Sequence, residues 1–426
     1  MHPAALLSIT AHGMVSKLPL PAGTTPRMNF LFLLATCCFI GSLSLRLLDP
    51  VVPDVARDLG TSPEAVALLS TAFLLSYAIT QPFVGAIADA YGKVRIIKIC
   101  SAALAVMLVL MAMAPTIEVL YAARIMGGIF GGGVFTVALS IVGDRIPQAG
   151  RQVALSNLIM ASQSAQIFGV IAAGLIASSF GWRGAVWAAA IVAIAANIML
   201  ERNLQPRPGA VRYPISFNRI KESMGRLFRN RRTQTCYAGV LFDGMAVTGL
   251  MPFVAVLLEA RGAGGLKEAS FVVAGLAIGG LTYTFTVRYL LPLVGGAMNL
   301  IRFGGAISAL GLAIIAHGGA WTMQMAAFVV AGFGFFMVHA TLQSQATEVP
   351  QDLRSTSVSM HSSFFTLGNA IGPALYAIGI NTIGAKASIL IGALTILAVG
   401  LFTAARLETI EAEPELLSDG TSAARS

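Results

Sequence analysis

Charge is what this chain has least of. Asp, Glu, Lys and Arg together make up 11% of its 426 residues, less than half of the roughly 25% found in soluble domains. With 56% hydrophobic residues and a mean hydropathy of +0.78, that scarcity excludes a water-soluble fold. The four cysteines, Cys37, Cys38, Cys100 and Cys236, sit in or beside apolar runs with no metal-ligand spacing, so they read as small buried hydrophobes. A Gly-x-x-x-x-Gly-Lys-Ser/Thr loop is missing, which argues against nucleotide-driven pumping by this chain. No serine, cysteine or histidine constellation has triad or metal spacing, so neither an enzyme nor a cofactor or metal is expected. Residues 1–27 carry an apolar patch, Ala4 to Ile9, too short for a signal-peptide core, with no convincing small-residue cleavage site. They read as a cytoplasmic tail.

What the chain does have is apolar length. Crossing about 30 Å of hydrocarbon takes about 20 apolar residues in a helix. Twelve stretches qualify, at about 28–50, 63–84, 95–114, 117–143, 152–180, 183–201, 233–258, 268–291, 298–317, 321–346, 354–379 and 384–405. An even number puts both termini on one side. Arg202, Arg207, Arg212, Arg219, Lys221, Arg226, Arg229, Arg231 and Arg232 crowd the connection between spans six and seven, against Arg57, Arg183, Arg261, Lys267 and Lys386 on the opposite face. Lys and Arg accumulate in cytoplasmic loops, so that connection and both termini are assigned to the cytoplasm. Topology thereby accounts for the net charge of +9 without a nucleic-acid partner. The organisation expected is a tail (1–27), a first six-helix bundle (28–201), a basic linker (202–232), a second bundle (233–405) and a tail (406–426). Pro206, Pro208, Gly209 and Pro214 mark the linker, and the amphipathic basic stretch from Phe217 to Phe228 is expected on the inner headgroups.

An internal repeat supports two bundles. Pro147, Gln148, Arg151 and Ser156 recur as Pro350, Gln351, Arg354 and Ser359, each displaced by 203 residues, and Gly92, Gly131, Gly169 and Gly181 recur at the same shift as Gly295, Gly334, Gly372 and Gly384. Two parallel copies related by an axis along the membrane normal imply a binding site between them, near the midplane.

The stretch Gly85-Ala-Ile-Ala-Asp89-Ala-Tyr-Gly92-Lys93-Val-Arg95 interrupts two apolar runs with a carboxylate, a glycine turn and cations. Its spacing resembles the loop between the second and third helices of the major facilitator superfamily of secondary transporters. Arg124 followed by Gly127, Gly128, Gly131, Gly132 and Gly133 resembles that family's motif on the fourth helix, with Gly127 in place of the usual glutamine. Arg46-Leu-Leu-Asp49-Pro50-Val-Val-Pro53 and the repeated Pro-Gln-x-x-Arg resemble its bacterial sugar-efflux-like and multidrug-like permeases, although Val170 replaces the proline of a drug-antiporter motif that Gly372-Pro373 retains. The resemblance implies an all-α membrane protein of twelve transmembrane helices in two pseudo-symmetric six-helix bundles, monomeric, in a bacterial inner membrane. It implies alternating access, with export of a small organic solute coupled to protons. Proton-coupled uptake, or a non-transporting sensor or assembly factor, are the alternatives. It also implies a conformational latch of Gly85, Asp89, Gly92, Lys93, Arg95, Asp144 and Arg354, in which Asp89 meets the start of helix eleven near Arg354 in the outward-facing state and Lys93 pairs with Asp144.

Ionisable groups are costly in lipid, so each one inside a span is a functional candidate. Asp243 lies about ten residues in from Arg232, hence about 15 Å deep. A carboxylate in a low-dielectric cavity can cycle between neutral and charged forms and hold either a proton or a cationic solute; a permanent interhelical hydrogen bond is the structural alternative. Arg46 and Asp49, three apart on the first helix, share a face with each other and a depth with Arg124, so Asp49 can neutralise Arg46, Arg124 or both. His339 and His361 lie at matched depth on neighbouring spans, able to relay a proton or simply to hydrogen-bond within the bundle. Gln163, Gln166, Tyr283, Gln343 and Asn369 offer neutral donors and acceptors to a solute or to each other's helices.

Overall fold

The computed structural model describes residues 30–146, 148–206, 217–350 and 353–423. The tail 1–27, Pro147, Gln351 and the linker residues Arg207, Pro208, Gly209, Arg212 and Pro214 lie outside the described residues. The elements in chain order are α1 (Phe30–Arg46), a 3-10 turn (Asp49–Val51), α2 (Val52–Leu59), α3 (Pro63–Tyr91), α4 (Lys93–Ala112), α5 (Ile117–Arg145), α6 (Gln148–Asn203), α7 (Phe217–Arg229) and α8 (Arg231–Val247). A second 3-10 turn (Thr248–Phe253) leads to α9 (Val254–Ala260), α10 (Leu266–Leu293), α11 (Ala297–His317), α12 (Trp321–Ala346), α13 (Arg354–Ile383) and α14 (Ala385–Ala423).

Among the described residues, eleven continuous runs are long and apolar enough to cross a membrane. One of them, α6, turns at Gly181, with φ 68° and ψ 170°, a left-handed φ that a side chain resists. That turn divides α6 into two spans, and the eleven runs become twelve transmembrane helices in two six-helix bundles. The repeat is visible in the backbone. Gly92 (φ 100°) and Gly295 (φ 79°) both turn the chain between their second and third spans, and Gly181 (φ 68°) and Gly384 (φ 86°) both turn it between the fifth and sixth.

The first span departs from the single straight helix expected over 28–50. Helix α1 ends at Arg46, and Pro50 and Pro53 stand at the start of the 3-10 turn and of α2; proline withholds an N–H and disfavours a helical residue before it. The seventh span breaks at the corresponding register, in the turn containing Pro252, which is 203 residues after Asp49. Each bundle therefore opens with a broken helix. Discontinuous helices leave backbone groups available deep in the membrane, where side chains must satisfy them.

The end of the molecule carrying α7 is called the linker face, and the end carrying α2 and α9 the far face. Near the far face the halves share their apolar core: Ala370, Val256 and Leu266 pack with the first half, and Ala67 and Val170 with the second. Toward the linker face, the clusters around Leu33, Ile97 and Ile141 and around Tyr283, Leu300 and Met337 each stay within one half. All four cysteines are buried free thiols.

Candidate functional site

The second half brings three titratable side chains together from three helices. Asp243 of α8 and His361 of α13 have no exposed surface. His339 of α12 stands between them: its Nδ1 is 3.5 Å from Asp243 Oδ2, and its ring centroid is 5.4 Å from that of His361, the planes 61° apart. Both Asp243 oxygens, both His361 nitrogens and His339 Nδ1 are buried with no hydrogen-bond partner among the described residues. Phe365 and Phe335 wall the His339 ring, with centroids 4.3 and 5.6 Å away. At 15% side-chain exposure, His339 is the member of the row in touch with open space. A carboxylate and an imidazole at this range can pass or share one proton.

The two histidines lie at matched depth as expected, seven residues from the ends of α12 and α13 nearest the linker face. The approach of the Asp243 carboxylate to His339 is not foreseen by the sequence. Depth counted along a straight axis ignores helix tilt and side-chain reach, and these bring Asp243 to His339. Among the described residues, no group of three or more His, Cys, Asp and Glu side chains has a geometry that holds a metal ion.

In the first half, Arg124 is fully buried, and its charge is met mainly by backbone. Its Nη1 donates to the Ser44 carbonyl at 2.7 Å, Nη2 to Leu45 and Nε to Leu69, both at 3.3 Å, and the guanidinium lies 4.2 Å over the Phe73 ring. Ser44 and Leu45 are in the last turn of α1, whose carbonyls lose helical partners because the helix stops at Arg46. The missing glutamine at Gly127 is thus replaced by main-chain acceptors. Asp49 accepts from Arg46 Nη1 at 3.2 Å and from Ser70 Oγ at 2.8 Å. Of the two arginines, Asp49 takes Arg46 as its ion-pair partner, and it does so across the helix break rather than along one helical face, which corrects the expected geometry.

The amides divide. The Asn369 Oδ1 is hydrogen-bonded to the Thr248 hydroxyl, which lies 2.7 Å from the Gly244 carbonyl, so Asn369 braces the broken seventh span. Gln166 and Gln343 are half-buried, Tyr283 is buried edge-on to Phe333, and the side chain of Gln163 lies outside the described residues. Between the halves, Ser363 Oγ donates to Gln81 Oε1 at 3.4 Å.

At the linker face, Lys93 Nζ is 2.6 Å from Asp144 Oδ2 and 3.1 Å from Asp89 Oδ1. Among the described residues, Asp89 and Arg354 form no ion pair; Arg354 Nε donates to the Val349 carbonyl at 3.3 Å. Gly92 makes the turn, Arg95 is exposed, and Gly85 faces open space. At the far face, Arg57 Nη1 reaches Glu259 Oε2 at 3.2 Å, joining α2 to α9 across the halves. Beside it, Asp54 accepts the backbone N–H of Trp182 at 2.9 Å, and Asp58 takes Trp182 Nε1 and Arg183. This contact between the halves was not expected from the sequence, although Arg57 and Glu259 are 202 residues apart and so near-equivalent in the repeat.

Two bundles with broken first helices, the Lys93 turn and Arg124 against its glycine face all coincide in one chain, and the family model of the Major Facilitator Superfamily matches residues 34–373. The chain belongs to the Major Facilitator Superfamily. Among similar curated proteins, the quinolone resistance protein NorA of Staphylococcus aureus is 24% identical over 353 residues, which cover 80% of this chain and 88% of NorA. A triacylglyceride transporter of Mycolicibacterium hassiacum is 26% identical over 172 residues, 39% of this chain and 32% of that protein, so the match spans about a third of that relative's length. In the solved structures, the nucleoside transporter NupG superposes with a TM-score of 0.75 at 15% identity, covering 89% of this chain and all of that one. Facilitators are secondary transporters, and this one is an integral membrane protein in which the buried charges of both halves stand where helix breaks or neighbouring rings receive them.

Proposed function

We propose that this facilitator exports a small organic solute by alternating access, with protons moving the opposite way through Asp243 and His339. The observation that carries the reading is the buried Asp243 carboxylate, 3.5 Å from the partly exposed His339 and without a hydrogen-bond donor among the described residues. An ionised carboxylate left so would cost several kcal/mol in lipid. Protonation or a cationic group on the solute relieves that cost, so the site favours one or the other. Similarity to NorA over 88% of its length supports export as the direction.

In this reading the two bundles, 28–201 and 233–405, rock about the seam between them, and Arg46, Asp49 and Arg124 hold the broken first helix as part of one moving body. The linker face is cytoplasmic, both termini lie there, and the membrane is the bacterial inner membrane. The conformer is closed at the far face, where Arg57 and Glu259 join the halves, and at the linker face the latch is half made: Lys93 holds Asp144, but Asp89 turns to Lys93 instead of Arg354. Gln166, half-buried on α6, and His361 behind His339 border the path of solute and proton.

The test is a screen of candidate solutes in proteoliposomes with an imposed pH gradient, comparing wild type with Asp243→Asn. Flux that follows the gradient in wild type and loses that dependence in the variant supports the proposal. Equal gradient-driven flux in both would move coupling to the Arg46, Asp49 and Arg124 group, and the absence of flux for every solute would favour a sensor role.

A further inference from the structure

At the far face a small cleft lies between α9, α10, α11 and α12. Its walls are apolar, among them Leu250, Val254, Val272 and Phe328, and two side chains bring polar groups to it, Gln324 of α12 and Arg261, which follows α9. The free volume is about 10 Å³, room for one particle the size of a water molecule or a monatomic ion.

Both polar groups donate. Gln324 is 3% exposed, and its Nε2 is buried with no hydrogen-bond partner among the described residues. A buried amide nitrogen left so is costly, and the packing of apolar walls does not account for it. Arg261 spends an N–H on the Ile315 carbonyl at 3.3 Å, one of the five that a guanidinium carries. It makes no ion pair among the described residues, and the acids of this corner are engaged elsewhere: Glu259 takes Arg57 at 3.2 Å, and Glu268 accepts the Gly265 N–H at 2.8 Å. Gln324 also lies in the first turn of α12, at the positive end of that helix's dipole.

We propose that this cleft binds a single halide ion, chloride or bromide. A water molecule could accept from the same donors, but its own two protons would face apolar side chains, and the Ile315 carbonyl is already shared by Arg261 and the Gly318 N–H at 3.1 Å. An anion has no protons to place, and it offsets the charge of Arg261. The volume excludes a polyatomic anion. Bound there, the halide links the end of α9 to α12 two residues after Glu259, and so holds α9 where the ion pair with Arg57 joins the halves.

The experiment follows thermal unfolding of the full chain in detergent, in sodium chloride, bromide or gluconate at equal ionic strength, gluconate being too large to enter. Chloride and bromide should each raise the midpoint by a few degrees over gluconate and reach a plateau with concentration, as a saturable site requires. Gln324→Met keeps the side-chain length without the donor; it should unfold in gluconate no earlier than wild type and lose the response to halide. Arg261→Gln, at an exposed position, tests the site independently and should lose the response as well. Equal wild-type midpoints in chloride and gluconate would overturn the proposal in favour of water in the cleft. A halide response that survives in either variant would also overturn it, since the ion would then act elsewhere on the protein.

Discussion

Arg57 and Glu259 form the ion pair that crosses the two halves among the described residues, Nη1 to Oε2 at 3.2 Å, and each sits on the short helix that follows a break in the first span of its bundle. The pair therefore reports directly on whether the far face is closed. Asp54, one turn before Arg57, lies 3.7 Å from it and also caps the backbone at Trp182, so the ion pair is anchored to the turn at Gly181.

Reversing either charge alone, Arg57→Glu or Glu259→Arg, should shift the population toward a far-face-open state, and the double reversal should restore it. Arg57 is 62% exposed, and such pairs are worth about 0.2–1 kcal/mol, so the shift should be up to about fivefold. Labelling of a cysteine placed beside the seam on the far face measures it; equal labelling of all three variants and wild type would remove the gate role.

Lys93 is shared by two carboxylates. Lys93→Ala removes the cation that Asp89 and Asp144 share, and Asp89→Asn removes the charge that the proposed latch requires. Both should slow turnover in proteoliposomes while solute binding stays within about twofold, since neither residue lies near Asp243. Unchanged turnover in both variants would count against a latch.

Arg124→Lys keeps the charge but replaces a planar fork that reaches three carbonyls with one ammonium group. A buried acceptor deprived of its donor costs about 1–3 kcal/mol. Thermal unfolding in detergent should drop clearly for Arg124→Lys and further for Arg124→Ala. The Phe73→Leu variant should fall less, because it loses the ring beneath the guanidinium but none of its hydrogen bonds.

Two glycines of the motifs should respond in opposite ways. A methyl group on Gly128 would run into the Phe73 carbonyl and the Ser76 hydroxyl, forcing α5 away from α3, and overpacking of this kind costs about 1–3 kcal/mol. Gly85 sits inside α3 beside open space, where alanine gains about 0.5–1 kcal/mol of helix propensity. Gly128→Ala should therefore melt earlier than wild type and Gly85→Ala later, and the reverse order would show that the static packing misleads.

Much of the architecture was legible from one dimension. Span length, the 203-residue shift and the glycines at 92, 181, 295 and 384 are local or periodic properties, and the backbone turns where they stand. The sites were less legible because they are built between helices. Arg124 could be named as a buried cation, yet its acceptors, the carbonyls of Ser44 and Leu45, exist as acceptors because proline stops a different helix. The His339 and Asp243 pair was missed because residues 96 apart in sequence meet through tilt and side-chain reach, neither of which a residue count encodes.

By itself, then, the order of amino acids determined that this chain lives in lipid, crosses it in apolar helices and repeats itself once, because hydrocarbon thickness and the cost of charge act on every residue separately. The tertiary structure decided which rare charges become partners: Asp49 with Arg46, Asp243 with His339, Arg57 with Glu259. Pairing is a property of distance, and distances between helices follow from packing that no single segment contains.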